Sequence, residues 1–264
     1  MKVKTVYYDD LLNDEFSGNN IKRRPLGKNF KYVHTNVFWR LCATLLYRLI
    51  AIPVIWIVGK IGWGVKTIGK KNVKPLKRQG YFIYGNHTQI CDAWTAQCYV
   101  VRGHRTYIVS NQDSTSIRGI RWLIQMLGCI PTPENMEERE GFNNCIRYRI
   151  KQKAAISIFP EAHIWPYSTH IRPFKDDAFV YPAELGAPVV AMCTTYRRRK
   201  LFKNLKPRMT LHISAPIYPN MRLSLSARKK DLRDQVYDFM VKHSAEDENI
   251  ECIRYLPRPK EESK

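Results

Sequence analysis

A histidine and an aspartate stand five positions apart in this chain, directly after a short apolar run that ends at Gly85. On one straight helix this spacing turns two side chains about 140° apart, so His87 and Asp92 can meet only across a helix start. A strand ending at Gly85 and a helix beginning after Gln89 would give that arrangement. Asp92 would then orient the imidazole, and its other nitrogen would take a proton from a hydroxyl group. The pattern predicts a general base that activates a substrate hydroxyl.

Two other interpretations of this pair stay open at this point. A histidine and an aspartate five residues apart also suit a purely structural pair. A metal site that uses His87 and Cys91 is the second alternative, but no third and fourth ligand stand at a suitable spacing. We therefore predict no metal ion.

A second polar segment follows another apolar run, Ala155–Phe159. Its residues are Phe159, Pro160, Glu161, Ala162 and His163. Ligands of parallel α/β sheets gather at the carboxyl edge of the strands, so this segment and His87 are expected to lie together. Glu161 has two equally weighted candidate roles, shaping its own loop or binding a substrate.

Short β-branched and aromatic runs alternate with helical patterns from Gly80 onward. The candidate strands are Tyr81–Tyr84, Thr106–Val109, Ala155–Phe159, Val189–Thr194 and Met209–Ile213. The candidate helices are Asp92–Val101, Ile117–Leu127, Glu137–Lys153, Asp177–Leu185 and Ala227–His243. Such alternation predicts an α/β fold with a mostly parallel sheet flanked by helices.

With both segments in order, the chain resembles the lysophosphatidate (1-acyl-glycerol-3-phosphate) acyltransferase family over roughly residues 80–195. The motifs that carry the resemblance are Asn86-His87-x4-Asp92, Phe159-Pro160-Glu161, Phe174-Lys175 and the apolar strand after Pro188. The resemblance implies an O-acyltransferase in phospholipid biosynthesis, with His87 as base and Asp92 as its orienting partner. The substrate-binding residues that it implies are Asn86, Thr88, Phe159, Pro160, Glu161, Ala162, His163 and Lys175.

The chain departs from the family pattern where an acceptor phosphate is expected. Ala162 stands in place of a glycine, and His163-Ile164 replaces a Thr-Arg pair. A further family motif normally ends in an arginine after an apolar strand, and here the corresponding segment, Gly128–Pro133, has prolines instead. The candidate substitutes are Arg118, Arg121, His163, Arg172 and Lys175. We expect 1-acyl-glycerol-3-phosphate as acceptor, and the alternative is an acceptor without a phosphomonoester.

The most apolar stretch is Leu41–Val58, about 27 Å long as a helix. Arg48 and Pro53 interrupt it, which disfavours a full membrane span. A buried core helix is one alternative, and a helical segment that lies in one leaflet is the interpretation that we favour. The chain is thus divided into an irregular polar arm (1–34), a membrane-associated helical motif (35–70), an acyltransferase domain (71–253) and a polar tail (254–264).

The chain carries 44 Lys and Arg residues against 23 Asp and Glu residues, a net charge of +21. Such a charge attracts phosphates. The expected partners are anionic membrane lipids and an acyl thioester, either acyl-CoA or acyl carrier protein, with no further cofactor. Nucleic acid is the rival partner, but no nucleic-acid-binding motif accompanies the charge, so we expect none. Seven scattered cysteines favour a reducing compartment, and we expect the cytoplasmic face of a membrane.

Overall fold

A computed structural model describes residues 3–18, 21–27, 30–101, 103–117, 119–201, 205–246 and 248–259. Within these residues the main sheet has seven strands, in the spatial order β2-β8-β7-β3-β6-β4-β5. The strands are β2 (Lys66–Ile68), β3 (Tyr81–Gly85), β4 (Thr106–Ser110), β5 (Cys129–Pro131), β6 (Ala155–Ile158), β7 (Val189–Arg197) and β8 (Arg208–Ile213). Every neighbouring pair in the described sheet is parallel except β7–β8. The predicted α/β class is confirmed.

Helices cover both faces of the sheet. They are α1 (Val37–Leu45), α2 (Ile52–Gly62), α3 (Asp92–Thr95), α4 (Asp113–Ser116), α5 (Arg121–Met126), α6 (Met136–Lys151), α7 (Val180–Leu185) and α8 (Leu225–Ser244). The face with α2 and α3 packs around Tyr81, Ile83 and Val190, and the face with α6 and α8 packs around Phe82, Tyr84 and Val189. Because successive strand residues point to opposite faces, these alternating sets explain why the central strands are apolar throughout.

The apolar segment forms one continuous helix, Val37–Gly62, in which a π-helical turn at Leu46–Ala51 joins α1 to α2. The expected break at Pro53 does not occur. Pro53 lies at the start of α2, directly after the π-helical turn, and a locally wider turn accommodates a residue that has no N–H to donate. By its length and composition alone, this helix is long enough and apolar enough to cross a membrane.

This apolar helix, Val37–Gly62, is not a core helix. Only 11% of its most apolar window is buried. The buried residues form a narrow stripe of Ala43, Tyr47 and Gly59 against the domain. The helix thus leaves most of its apolar surface exposed, which contradicts the core alternative.

The prediction of an irregular N-terminal arm and a polar C-terminal tail is wrong in part. Strand β1 (Lys4–Tyr8) pairs in parallel with β9 (Ile253–Pro257), so the two ends of the described chain form a small second sheet. Tyr8 and Tyr255 of these strands pack on the ring of Trp165. Five-residue strands with one exposed face carry too weak a pattern to be recognised in a polar context.

Candidate active site

Strand β3 ends at Gly85, and helix α3 begins at Asp92, as the site requires. One oxygen of the Asp92 carboxylate, Oδ2, accepts the backbone N–H groups of Thr88 at 2.6 Å and Gln89 at 2.7 Å. The same oxygen lies 3.3 Å from Nδ1 of His87. Asp92 is fully buried, so its contacts with the turn and with Nδ1 of His87 are made away from water. The structure brings the predicted pair together.

The ring of His87 stacks on Phe159, with centroids 4.5 Å apart and an interplanar angle of 21°. This stack depends on Gly85, because a Cβ there would lie 2.9 Å from an edge carbon of the Phe159 ring. Since Nδ1 faces Asp92, Nε2 points the other way, and no described residue bonds to it. With 16% of its side chain exposed, His87 can reach a substrate through Nε2.

Asn86 and Thr88 both bond to β7. The Asn86 amide donates to the backbone oxygen of Thr194 at 3.0 Å and accepts from its N–H at 2.7 Å. The Tyr196 hydroxyl donates to Oγ1 of Thr88 at 2.7 Å. Both side chains are buried. They fasten the His87 turn to β7, and their side chains are not available to a substrate in this arrangement.

Glu161 shapes its loop and ties it to the His87 turn. Its Oε2 accepts the backbone N–H of His87 at 3.1 Å, and its Oε1 accepts that of Arg172 at 3.1 Å. The Arg172 guanidinium pairs with the same carboxylate at 3.4 Å. Burial raises the pKa of Glu161, against the opposing charge of Arg172 and the two N–H donors, and burial lowers the pKa of Arg172. Of the two predicted roles, the geometry gives Glu161 the loop-shaping one.

Ala162 occupies a turn that suits glycine. Its φ is 64°, in the left-handed region, and its N–H bonds to the Phe159 oxygen at 3.1 Å. The turn after Pro160 therefore keeps its backbone shape although the family's glycine is absent. The left-handed backbone is unfavourable for a residue with a Cβ, and because Ala162 is exposed, burial of its side chain does not offset that cost.

A carboxylate that sequence reasoning missed reaches the end of this loop. Glu15 lies 3.2 Å from Nδ1 of His163, and its other oxygen accepts the N–H of Ile164 at 3.3 Å. Nearby, the Trp165 indole donates to the Asp14 backbone oxygen at 2.8 Å. Residues 14–16 therefore cover the loop at the positions where the family has Thr-Arg. The polar arm is far from this loop in sequence, so no local pattern predicted the contact.

A metal interpretation of the His87 turn gains no support from Cys91. Burial and the neighbouring Asp92 charge raise the pKa of this thiol, so it stays protonated at neutral pH. Thiols bind metal ions as thiolates.

A protein-family model described as Acyltransferase matches residues 64–195, half of the chain. The chain belongs to the acyltransferase family. The resemblance drawn from the four motifs is confirmed. The fold of this acyltransferase is similar to the crystal structure of the 1-acyl-sn-glycerophosphate (LPA) acyltransferase PlsC from Thermotoga maritima. The TM-score is 0.57 at 18% identity, over 79% of this chain and 88% of that one. No curated protein sequence matches the chain.

The acyltransferase places its candidate phosphate ligands in different surroundings. Arg121 donates to the backbone oxygens of Thr115 at 2.8 Å and Leu26 at 3.3 Å, so its guanidinium already stabilises the fold through hydrogen bonds. Lys175 is exposed at the start of a 3-10 turn, Asp176–Phe179. Arg118 lies outside the described residues.

Arg172 is the candidate most closely tied to the catalytic turn. Its guanidinium lies over the Trp165 ring, 4.8 Å from the centroid, and donates to the His163 backbone oxygen. Nε and Nη1 of Arg172 are buried and have no hydrogen-bond partner among the described residues. Because guanidinium N–H groups bind anionic oxygens, these two nitrogens make Arg172 a candidate ligand for an anion.

Proposed function

We propose that this acyltransferase moves a fatty acyl group from an acyl thioester to the hydroxyl of a lysophospholipid, with 1-acyl-glycerol-3-phosphate as the favoured acceptor. The observation that carries the proposal is the contact between Nδ1 of His87 and the buried Asp92 carboxylate, which leaves Nε2 for the substrate. Membership of the acyltransferase family supports the reaction class.

The proposed reaction is a direct transfer. Nε2 of His87 takes the proton of the acceptor hydroxyl as its oxygen attacks the thioester carbonyl, and the imidazolium that forms is stabilised by Asp92. The tetrahedral adduct then collapses, the C–S bond breaks, and the leaving thiolate takes the proton back from His87. The acyl ester, the free thiol and neutral His87 result. General base catalysis supplies about 10²–10⁴ in rate, and positioning supplies more.

Arg172 is our proposed partner for the acceptor phosphate. Its two unpaired nitrogens lie next to the Glu161 carboxylate that also holds the His87 backbone. Because Arg172 is only 3% exposed, a phosphate reaches it only after the segments that cover it move aside. A charge-assisted contact of this kind is worth about 1.5–3 kcal/mol.

The membrane association that we propose is in the plane of one leaflet. The apolar helix contacts the domain from Ala43 to Gly59, which is about 24 Å along its axis. Its anchors include the Tyr47 hydroxyl, which accepts the Thr106 N–H at 3.1 Å, and the Tyr99 hydroxyl, which donates to the Trp56 oxygen at 2.6 Å. A helix perpendicular to the bilayer would carry this polar domain surface into hydrocarbon, so a flat orientation is favoured.

The donor and the compartment complete the proposal. Coenzyme A and acyl carrier protein both present the acyl thioester on an arm that carries phosphate at its other end, and both suit a chain with a net charge of +21. All seven cysteines, which lie in described parts of the chain, are free thiols. Free thiols suit a reducing cytoplasm, and we place the protein on the cytoplasmic face of a membrane.

The decisive assay uses purified protein with labelled acyl-CoA or acyl carrier protein and a panel of lysolipids. We expect 1-acyl-glycerol-3-phosphate to be acylated, and we expect the His87→Ala protein to be inactive with an unchanged melting temperature. Thioester consumption that survives His87→Ala would contradict the mechanism. Transfer to a neutral or zwitterionic lysolipid with 1-acyl-glycerol-3-phosphate inert would contradict the acceptor but leave the reaction class intact.

A further inference from the structure

A cavity of about 430 Å³ lies at the opposite end of the sheet from His87. Its walls include Gly103–Arg105, directly before β4, and Gln152–Ala154, directly before β6. His87 instead follows the last residue of β3, and β3, β4 and β6 run parallel. The cavity is therefore separate from the catalytic turn.

Positive charge dominates this cavity. Its basic lining residues are Arg40, Arg48, Arg105, Arg149 and Lys153, joined by His34 and His104. No aspartate or glutamate stands among its described lining residues. None of the five Arg and Lys side chains forms an ion pair with a described residue. Five like charges around one space repel one another, and an anion between them removes that repulsion.

Two buried guanidinium donors in the cavity walls have no partner among the described residues. They are Nε of Arg105 and Nε of Arg149. The guanidinium groups of Arg105 and Arg149 both lie over the ring of Tyr107, at 5.3 Å and 4.2 Å from its centroid. Both guanidinium groups thus contact one ring that also lines the cavity. Paired guanidinium groups with free N–H donors match the oxygens of a phosphate.

The apolar helix forms one wall of this cavity. Arg40 and Arg48 lie eight residues apart on the helix and line the cavity. Between and beside them, Phe38, Leu41 and Leu45 are exposed. A helix that lies flat in a leaflet with these apolar residues inserted would hold the arginines at the level of the lipid headgroups.

We propose that this basic cavity binds the phosphate of an anionic phospholipid headgroup, as a second lipid site distinct from the catalytic one. The lipid is favoured over a soluble phosphate because the cavity is continuous with the exposed apolar face of the helix. The site goes beyond the proposed acyl transfer and rests only on membrane association. Binding there would fix the end of the helix that lies away from the catalytic turn.

The test measures vesicle binding of the full-length protein by flotation. The variant R40Q/R48Q/K153Q removes three cavity charges at exposed positions. We expect wild type to prefer vesicles with phosphatidylglycerol over phosphatidylcholine alone, and we expect the variant to bind the anionic vesicles about tenfold or more less tightly. Binding to neutral vesicles should not change. Since no turnover is measured, a failure of the acyl-transfer proposal does not affect this result.

The matched control is R222Q/K230Q/K242Q, which removes the same charge from exposed positions at and before α8, none of which lines the cavity. If the control lost as much binding to anionic vesicles, net charge alone would explain the effect, and the proposal would be overturned. Unchanged anionic binding in the cavity variant would overturn it too. A rise in melting temperature with inorganic phosphate, without a preference for anionic vesicles, would assign the cavity to a soluble anion instead.

A single change guards against misfolding of the triple variant. Lys153 has a φ of 61°, a conformation that asparagine tolerates well, so Lys153→Asn removes one charge without new strain. We expect a weaker loss of anionic binding in the same direction, with an unchanged melting temperature. No loss in this folded variant counts against the site.

Discussion

Glu15 and His163 lie 3.2 Å apart, and through this contact the N-terminal segment places a negative charge on the loop that follows Glu161. Burial lowers the pKa of Arg172, and the charge of the same carboxylate acts in the opposite direction and raises it. An acceptor phosphate that approaches Arg172 meets this charge first. Glu15 is therefore the residue whose removal should report on the acceptor's charge.

We expect Glu15→Gln to lower the KM for 1-acyl-glycerol-3-phosphate by about three- to tenfold, because a like charge leaves the approach to Arg172. The measurement is initial rate against acceptor concentration at fixed thioester. The KM for a neutral monoacylglycerol serves as the control and should stay constant. An equal change for both acceptors would mean that Glu15 affects the loop's shape and not its charge.

Asp92→Asn should lower kcat by about 10³-fold or more, because an amide favours the wrong tautomer of His87 although it keeps an oxygen for the two backbone N–H donors. Single-turnover transfer measures the loss. The control Asp238→Asn makes the same chemical change at an exposed position on α8 and should be silent. Wild-type turnover in Asp92→Asn would remove the orienting role.

Gly59→Ala should loosen the apolar helix from the domain. A Cβ at Gly59 would lie 2.1 Å from the hydroxyl of Tyr99, which itself bonds to the helix backbone at Trp56. We expect a loss of about 1–3 kcal/mol in the free energy of unfolding, measured by denaturant titration in detergent. Gly62→Ala is the matched control, since no atom lies within 4 Å of its Cβ position. Equal stability of the two variants would contradict this helix contact.

Ala162→Gly should stabilise the protein by about 0.5–1 kcal/mol, because glycine adopts the left-handed backbone without the Cβ clash and the gain exceeds its extra unfolded entropy. Thermal melting should rise by roughly 1–4 °C in a chain of this size. Ala227→Gly, in the first turn of α8, should shift the melting temperature the other way. A fall for Ala162→Gly would indicate that the Cβ contributes packing.

His212 should make the fold sensitive to mild acid. Burial first, and the charge of His243 second, lower its pKa from the ordinary 6.5. As the pH falls below about 6.5, the unfolded chain therefore takes the proton more readily, and the free energy of unfolding falls. In His212→Gln the drop in melting temperature between about pH 8 and pH 5.5 should be smaller than in wild type. An unchanged drop would place the acid sensitivity elsewhere.

The sequence predicted the central sheet and the meeting of His87 with Asp92 because both depend on local patterns. Five apolar runs became strands with ends shifted by few residues, and the His87 turn needed only a strand end and a helix start. The roles of Asn86 and Thr88 were not predictable in the same way. Their partners, Thr194 and Tyr196, lie about a hundred residues away, on β7, and no local signal marks them.

Helix boundaries were least predictable where helices are short. The expected helix Ile117–Leu127 is shorter, α5 at Arg121–Met126, and a separate one-turn helix, α4, ends before it at Ser116. The three-residue strands β2 and β5 were also missed, because they gain their stability from neighbours in the sheet and not from their own pattern. Glu15 was missed for the same reason: its partner is set by tertiary packing alone.

The pairing of β1 with β9 bears on how the protein is made. During translation the catalytic turn and the Glu161 loop leave the ribosome long before Ile253–Pro257 exists. Until β9 has been made, β1 lacks the partner it has in the folded chain, and the Tyr255 ring is not there to cover Trp165. A chain that stops before Ile253 therefore has all seven strands of the main sheet but a less completely covered loop beside His87.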